Sequence, residues 1–198
     1  MENQSPETVE KNSVERKKYT LKDFWKGWGD VVIYLVVLFI LLRVVFQVIF
    51  VPSGSMESTM PTKSIAICWR LPYFFGNPMP DYGDIVTFNS EELDLVLVKR
   101  TIGLPGDVIS FEGGMVHRNG EMIDEPYLAG YGMTYSGVES FTVPEDCVFF
   151  MGDNRMGSFD ARGWTQPYIH RSELQAKALI SISVGRDKSW QGVRIVAN

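Results

Sequence analysis

Only two cysteines and two histidines occur among the 198 residues, and the 19 Lys and Arg are outnumbered by 24 Asp and Glu. Each shortage excludes something. Cys68 and Cys147 cannot build a disulfide framework or a four-thiolate zinc site, and whether they pair with each other is left open. His117 and His170 do not stand in a His-x-x-x-His spacing, so no metal centre is expected and both read as packing or surface residues. A net charge of −5 lacks the basic face of a nucleic-acid binder. There is no internal repeat or low-complexity tract, and a hydrophobic content of 45% against 22% charged excludes wholesale disorder. The length suits one ordinary domain with an appendage, not two full domains.

What the chain has in excess is one apolar run. Val31 to Val51 reads VVIYLVVLFILLRVVFQVIFV, broken only by Arg43 and Gln47. As a helix rising about 1.5 Å per residue it covers roughly 30 Å, the thickness of a bilayer's hydrocarbon core. A buried core helix is the alternative, but a body this small rarely encloses a helix that is apolar all round. Residues 31–51 are therefore expected to be a transmembrane anchor, with Arg43 snorkelling or facing another chain. Lys11, Arg16, Lys17, Lys18, Lys22 and Lys26 precede Asp30, whereas no Lys or Arg follows the run until Lys63. By the positive-inside rule, residues 1–30 form a cytoplasmic tail and residues 52–198 are exported. A cleaved signal peptide is the competing reading, but the run is too long and begins too late for one.

The exported part reads as strands. Asp84–Phe88 (DIVTF), Leu95–Ile102 (LVLVKRTI), Cys147–Met151 (CVFFM) and Ala178–Val184 (ALISISV) are β-branched or aromatic runs between turn residues. Leu104-Pro105-Gly106-Asp107 suits a type II turn. Asn119-Gly120 between MVHR and EMID is a hairpin signal, because both residues tolerate positive φ. Arg171 to Ala178 has room for two turns of helix. The expected fold class is mainly β, a partly open barrel or sandwich on one N-terminal transmembrane helix.

Three segments carry candidate chemistry. Ser53-Gly54-Ser55-Met56 places two hydroxyls just beyond the anchor; alone it is a linker, but it runs on into apolar Met56, Met60 and Ile65-Ala66-Ile67. In a period-2 strand Leu95, Leu97, Lys99 and Thr101 share one face, so Lys99 is either partly desolvated or a strand-end lysine reaching solvent. Burial would lower its pKa from about 10.4, which a general base near neutral pH requires. A serine beside a neutral lysine is a nucleophile–base pair for acyl transfer. The string from Gly152 to Gly163 alternates glycines, acids and arginines, whose bidentate pairs can hold a loop rigid.

Together these segments resemble the bacterial type I signal peptidase (leader peptidase) family, in its small single-anchor Gram-positive form. The matching blocks are PSGSM (Pro52–Met56), GDIVTF (Gly83–Phe88), VKRTIGLPGD (Val98–Asp107) and GDNRMGSFDAR (Gly152–Arg162), in family order. The resemblance implies a membrane-bound serine endopeptidase that removes signal peptides from exported preproteins after Ala-x-Ala and needs no cofactor. It implies Ser55 as nucleophile and Lys99 as general base. The Ser55 backbone N–H and the Ser53 hydroxyl would form the oxyanion hole, and Ser158 would hydrogen-bond Lys99. Asp160 would pair with Arg162 to brace the site, with Asp153 and Arg155 supporting the same loop. Val51, Met56 and Val98 are expected to line pockets for an extended substrate. The implied partners are preproteins, the lipid bilayer and the nearby export machinery, at a bacterial cell membrane. The aromatic stretch Trp69–Phe75 either dips into the interface or is buried in the β body.

The chain departs from the family pattern in three places. Ser58 stands where a proline is usual, Lys63-Ser64 where Gly-Asp is frequent, and Ala161 where a serine is frequent. A self-cleaving Ser-Lys protease resembling the SOS-response repressors would carry a DNA-binding helix-turn-helix where this chain has an anchor. A scaffold that had lost activity would not need Ser53, Ser55, Lys99, Ser158, Asp160 and Arg162 together. A histidine-dependent relative would read His-Arg, not Lys99-Arg100.

Overall fold

The computed structural model describes residues 20–76, 78–128, 133–184 and 190–196. The expected polar tail up to residue 19 lies outside the described residues. The chain divides into a unit ending at Ile40 and a second running from Leu41 to Asn198.

The helix α1 spans Leu21–Val45, long and apolar enough to cross a membrane. It begins ten residues before the apolar run because Thr20 and Asp23 cap it reciprocally. The Asp23 amide donates to the Thr20 hydroxyl (3.3 Å) and the Thr20 amide to the Asp23 carboxylate (3.1 Å). It also stops short of the expected Val51, because Phe46–Phe50 leave the helix and form the strand β1. Residues 21–30 are thus helix rather than tail, and 46–51 belong to the β body. Arg43 consequently sits in the last turn of α1, where its charge complements the helix dipole.

Strands β2 (Ile65–Trp69), β3 (Ile85–Ser90), β4 (Leu95–Gly103), β5 (Val108–Glu112), β6 (Met115–Arg118), β7 (Glu121–Met122) and β8 (Ser140–Thr142) follow. They are succeeded by β9 (Cys147–Met151), β10 (Tyr168–His170), β11 (Leu174–Val184) and β12 (Trp190–Ile195). One sheet runs β1-β2-β11-β3-β4-β9-β10, with β12 on β11; the other runs β7-β6-β5-β8. No closed barrel forms among the described residues, in agreement with the partly open architecture expected. The Asn119-Gly120 turn has φ of 56° and 83°, and Gly106 has φ of 86° in a turn closed by the Asp107 amide on the Leu104 carbonyl (3.0 Å). Instead of two helical turns, Arg171–Glu173 makes a single 3₁₀ turn, and β11 starts at Leu174 because its alternate residues Leu174, Ala176 and Ala178 are buried.

Two apolar clusters fill the body. The larger centres on Phe88, Phe149 and Phe150, with Phe88 and Phe150 stacked at 4.4 Å. The smaller lies under the Ser55 turn and contains Val51, Met56, Met60, Ala66, Cys68, Ile85, Ala176 and Ala178. Cys68 belongs to the smaller cluster and Cys147 packs against the larger, so both are free thiols. On the outer face of the first sheet the register aligns Phe46 with Trp69 and Phe50 with Ile65, and Phe46, Val48, Phe50, Ile65, Trp69, Val193 and Ile195 are all exposed. After Trp69 a one-turn helix, Leu71–Phe74, leaves Phe74 and Phe75 exposed, so the aromatic stretch is not a buried hairpin.

Candidate active site

Ser55 sits in a single 3₁₀ turn, Gly54–Met56, directly after β1. Pro52 fixes φ before it, and Met56 and Met60 anchor the turn from below, both fully buried. The loop after β9 ties the turn from above. The Asn154 amide donates to the Ser55 carbonyl (3.0 Å), and Asn154 Nδ2 donates to the Gly54 carbonyl (2.9 Å). Lys99 lies in the middle of β4, 3% exposed, and its Nζ donates to Ser55 Oγ at 2.6 Å. Burial pushes the Lys99 ammonium down to about 8; Asp160 and then Asp153 pull it back up, and Arg162 opposes them. Ser53 Oγ stands 3.4 Å from Ser55 Oγ on the exposed side.

Around this pair run three buried Arg–carboxylate links. Arg162 grips Asp160 (Nε to Oδ1, 2.8 Å), while Asp160 Oδ2 accepts the Gly152 amide (2.9 Å) and Arg162 Nη2 donates to the Arg155 carbonyl (2.7 Å). Asp153 does not pair with Arg155. It is held in a two-pronged bond by Arg100, Nε to Oδ1 at 2.8 Å and Nη2 to Oδ2 at 2.6 Å, and also accepts the Thr59 hydroxyl. Arg155 pairs instead with Glu125 and donates to Thr134 Oγ1 (2.8 Å). Local sequence patterns do not single out Arg100, Glu125, Thr59 or Asn154. An indirect signal for Arg100 was present: a charge sharing its strand face with Val96 and Val98 needs a carboxylate partner once buried.

Two expected roles differ. Ser158 does not hydrogen-bond Lys99; its buried Oγ has no partner among the described residues and lies against Gly152. Met56 is core, not groove wall: its sulfur accepts the Asp153 amide at 3.4 Å. Val51 and Val98 do line an open groove of about 470 Å³ that ends at Ser55 and Lys99 and runs between β1 and the first half of β4. Of the family departures, Lys63 takes a φ of 68°, a conformation glycine adopts without strain. Ser58 leaves its Oγ buried and without a partner among the described residues.

Chemically, a buried serine hydroxyl on an amine of lowered pKa is equipped for acyl transfer. With a bilayer-length helix ahead of it, the arrangement describes a membrane-anchored hydrolase. A family model for signal peptidases, peptidase S26, matches residues 25–183, and the chain belongs to that family and is a serine protease that cleaves signal peptides. A probable signal peptidase I-2 of Synechocystis is 30% identical over 182 residues, covering 88% of this chain and 80% of its own. Signal peptidase I S of Bacillus subtilis is 32% identical over 164 residues, 78% of this chain and 84% of its own. A solved signal peptidase I of Enterococcus faecalis V583 superposes with a TM-score of 0.43 at 28% identity, over 50% of this chain and 97% of that one.

Two consequences are measurable. A Cβ on Gly152 would stand 2.5 Å from the Ser55 carbonyl oxygen and closer still to Ser158 Oγ, so backbone must move. Gly152→Ala is expected to lower kcat/KM for preprotein cleavage at least about a hundredfold, since ångström-scale displacement of a reacting group costs that much. Asp160→Asn and Arg162→Gln should shift the pH dependence in opposite directions. Removing the carboxylate lets the Lys99 pKa fall, which moves the rise in rate to lower pH if Lys99 is the general base; removing the guanidinium moves it to higher pH.

Proposed function

We propose that Ser55 and Lys99 are the nucleophile and general base of this signal peptidase, and that it cuts after Ala-x-Ala. The observation that carries the reading is the 2.6 Å bond between a buried lysine, brought down to about 8, and a buried serine. Neutral Lys99 accepts the Ser55 Oγ proton as the oxygen attacks the carbonyl carbon of the residue before the cut. The negative charge that develops on the carbonyl oxygen is met by the Ser55 N–H and the Ser53 hydroxyl. Lys99 then hands the proton to the departing amine, leaving an ester on Ser55. A water molecule, deprotonated by Lys99 in turn, hydrolyses that ester. Asp160 and Arg162 hold the Gly152–Arg162 loop and set the field at Lys99. The Ser158 hydroxyl is a neighbour of the site through Gly152.

The substrate's residues before the cut lie extended in the groove, the small ones against Val51 and Val98. Residues up to about 20 lie in the cytoplasm, α1 crosses the cell membrane, and Phe46 onwards faces outward beside the export machinery. The charge flanks support that orientation, with six Lys and Arg before Asp30 and none between Arg43 and Lys63. The exposed Phe46, Val48, Phe50, Ile65 and Trp69 support contact of the body with lipid, where aromatic residues are favoured. The test is cleavage of a preprotein by the detergent-solubilised chain, with the cut located by mass spectrometry. A cut after the second alanine of Ala-x-Ala is expected; cuts elsewhere, or none, would overturn the specificity.

A further inference from the structure

The groove is a gap in a sheet. β1 is the end strand and has no neighbour on its outer edge among the described residues. Among the described residues, Leu95–Val98 of β4 pair only with β3, since pairing to β9 begins at Arg100. Both walls run in the same sense toward Ser55 and Lys99. A substrate strand entering between them therefore sends every second side chain to the floor, where the inward residues of β1 and its extension are Val51, Ile49 and Gln47.

Val51 and Ile49 give that floor an apolar surface, continuous with the smaller core cluster. Gln47 breaks it. Its side-chain oxygen accepts the Thr87 hydroxyl (3.3 Å) and its Nε2 donates to Gln175 Oε1 (3.2 Å), while Gln175 Nε2 donates to Asn89 Oδ1 (2.7 Å). This chain of amides holds Gln47 in one orientation from behind. A primary amide has two donor hydrogens and two acceptor lone pairs, so one of each remains for the groove. An apolar side chain packed there would cover both without replacing water's hydrogen bonds.

We infer that Gln47 is a specificity-determining residue that makes the fifth substrate position before the cut a polar subsite. The inference rests on the proposed peptidase reading and adds to it. Val51 to Gln47 is a separation of four residues, about 13 Å of strand. In a substrate running parallel to β1, with its first residue at Val51, the same four steps bring the fifth residue to Gln47. The occupant is a side chain that can both donate and accept, as Ser, Thr, Asn or Gln do.

The experiment uses the full-length chain in detergent and preproteins with one Ala-x-Ala site whose fifth residue is Gln, Leu or Lys. For the wild type, kcat/KM is expected to favour Gln over Leu by about fivefold to tenfold, the value of one hydrogen bond. In Gln47→Leu that ratio falls to one or inverts. Gln47→Glu, close in size, gains preference for Lys over Leu, an outcome that a purely structural role for Gln47 would not produce. A cut mapped to the same bond shows that each variant is folded and competent. Equal Gln-to-Leu ratios in wild type and Gln47→Leu would overturn the inference, as would loss of all cleavage in both variants. If the wild type cuts none of the three preproteins at Ala-x-Ala, the peptidase reading itself fails, a result distinct from either.

Discussion

Lys99→Ala is expected to lower kcat/KM for preprotein cleavage by about ten-thousandfold or more, and Ser55→Ala by a similar factor. The double variant should be no worse than either single one. In the proposed mechanism the two groups act as a unit: without the base the hydroxyl is not deprotonated, and without the hydroxyl the base has nothing to activate. Lys99→Arg should be equally inactive, because a guanidinium keeps its proton throughout the working range. The accompanying stability change sharpens the test. Depressing the Lys99 pKa from 10.5 to about 8 means that the folded state holds its ammonium at a cost. That cost is on the order of 3 kcal/mol, is fully present below pH 8 and disappears as pH rises toward 10.5. Lys99→Met, similar in volume but uncharged, is therefore expected to melt at the same or a higher temperature at pH 7 while being inactive. Initial rates and thermal melts on the same preparations would check both. A variant that lost activity only because it unfolded would show the reverse pattern of melting.

Asp153→Ala is the second large effect, and it falls on the fold. Arg100 lies between β strands with 3% of its side chain exposed, and Asp153 is its only anionic partner among the described residues. Its remaining contacts are the Gly83 carbonyl (2.7 Å), Thr59 Oγ1 (3.3 Å) and the face of Tyr127 at 3.8 Å. Removing one partner of such a pair strands the other charge in a low-dielectric site, at about 3–5 kcal/mol. For a body of this size the melting temperature should fall by about 10–15 °C. Replacing both partners, as Arg100→Met with Asp153→Leu, should recover much of that loss, because the desolvated charge goes as well. A melt of the three variants measures the coupling; additive losses would mean that the pair is not the unit described.

How far the sequence reached differs by element. The strands around Lys99, the Asn119-Gly120 hairpin and the type II turn at Gly106 were legible because turn chemistry and period-2 burial agree there. The end of the anchor was not. Phe46–Phe50 is as apolar as the helix before it, and only pairing with β2, fifteen residues or more downstream, decides that it is a strand. The same tertiary pairing places Arg43 in the last turn rather than mid-helix. Within the site, Ser55, Lys99 and the Asp160–Arg162 pair came from motif and chemistry. Asp153 and Arg155 are legible as supports of the Gly152–Arg162 loop, but their partners are not: the fold brings them to Arg100 and Glu125. Such pairings depend on which strands meet, which no local pattern encodes.

The central claim is that a neutral Lys99 takes the Ser55 proton, and the pH dependence of kcat/KM under conditions where chemistry limits the rate tests it most directly. In the proposed mechanism, with Lys99 at about 8, the neutral fraction governs the rate. A rise of roughly ninefold between pH 6 and 7, a midpoint near 8 and a plateau above 9 are expected. A rate that is flat from pH 6 to 9 in a folded, chemistry-limited enzyme would contradict that claim.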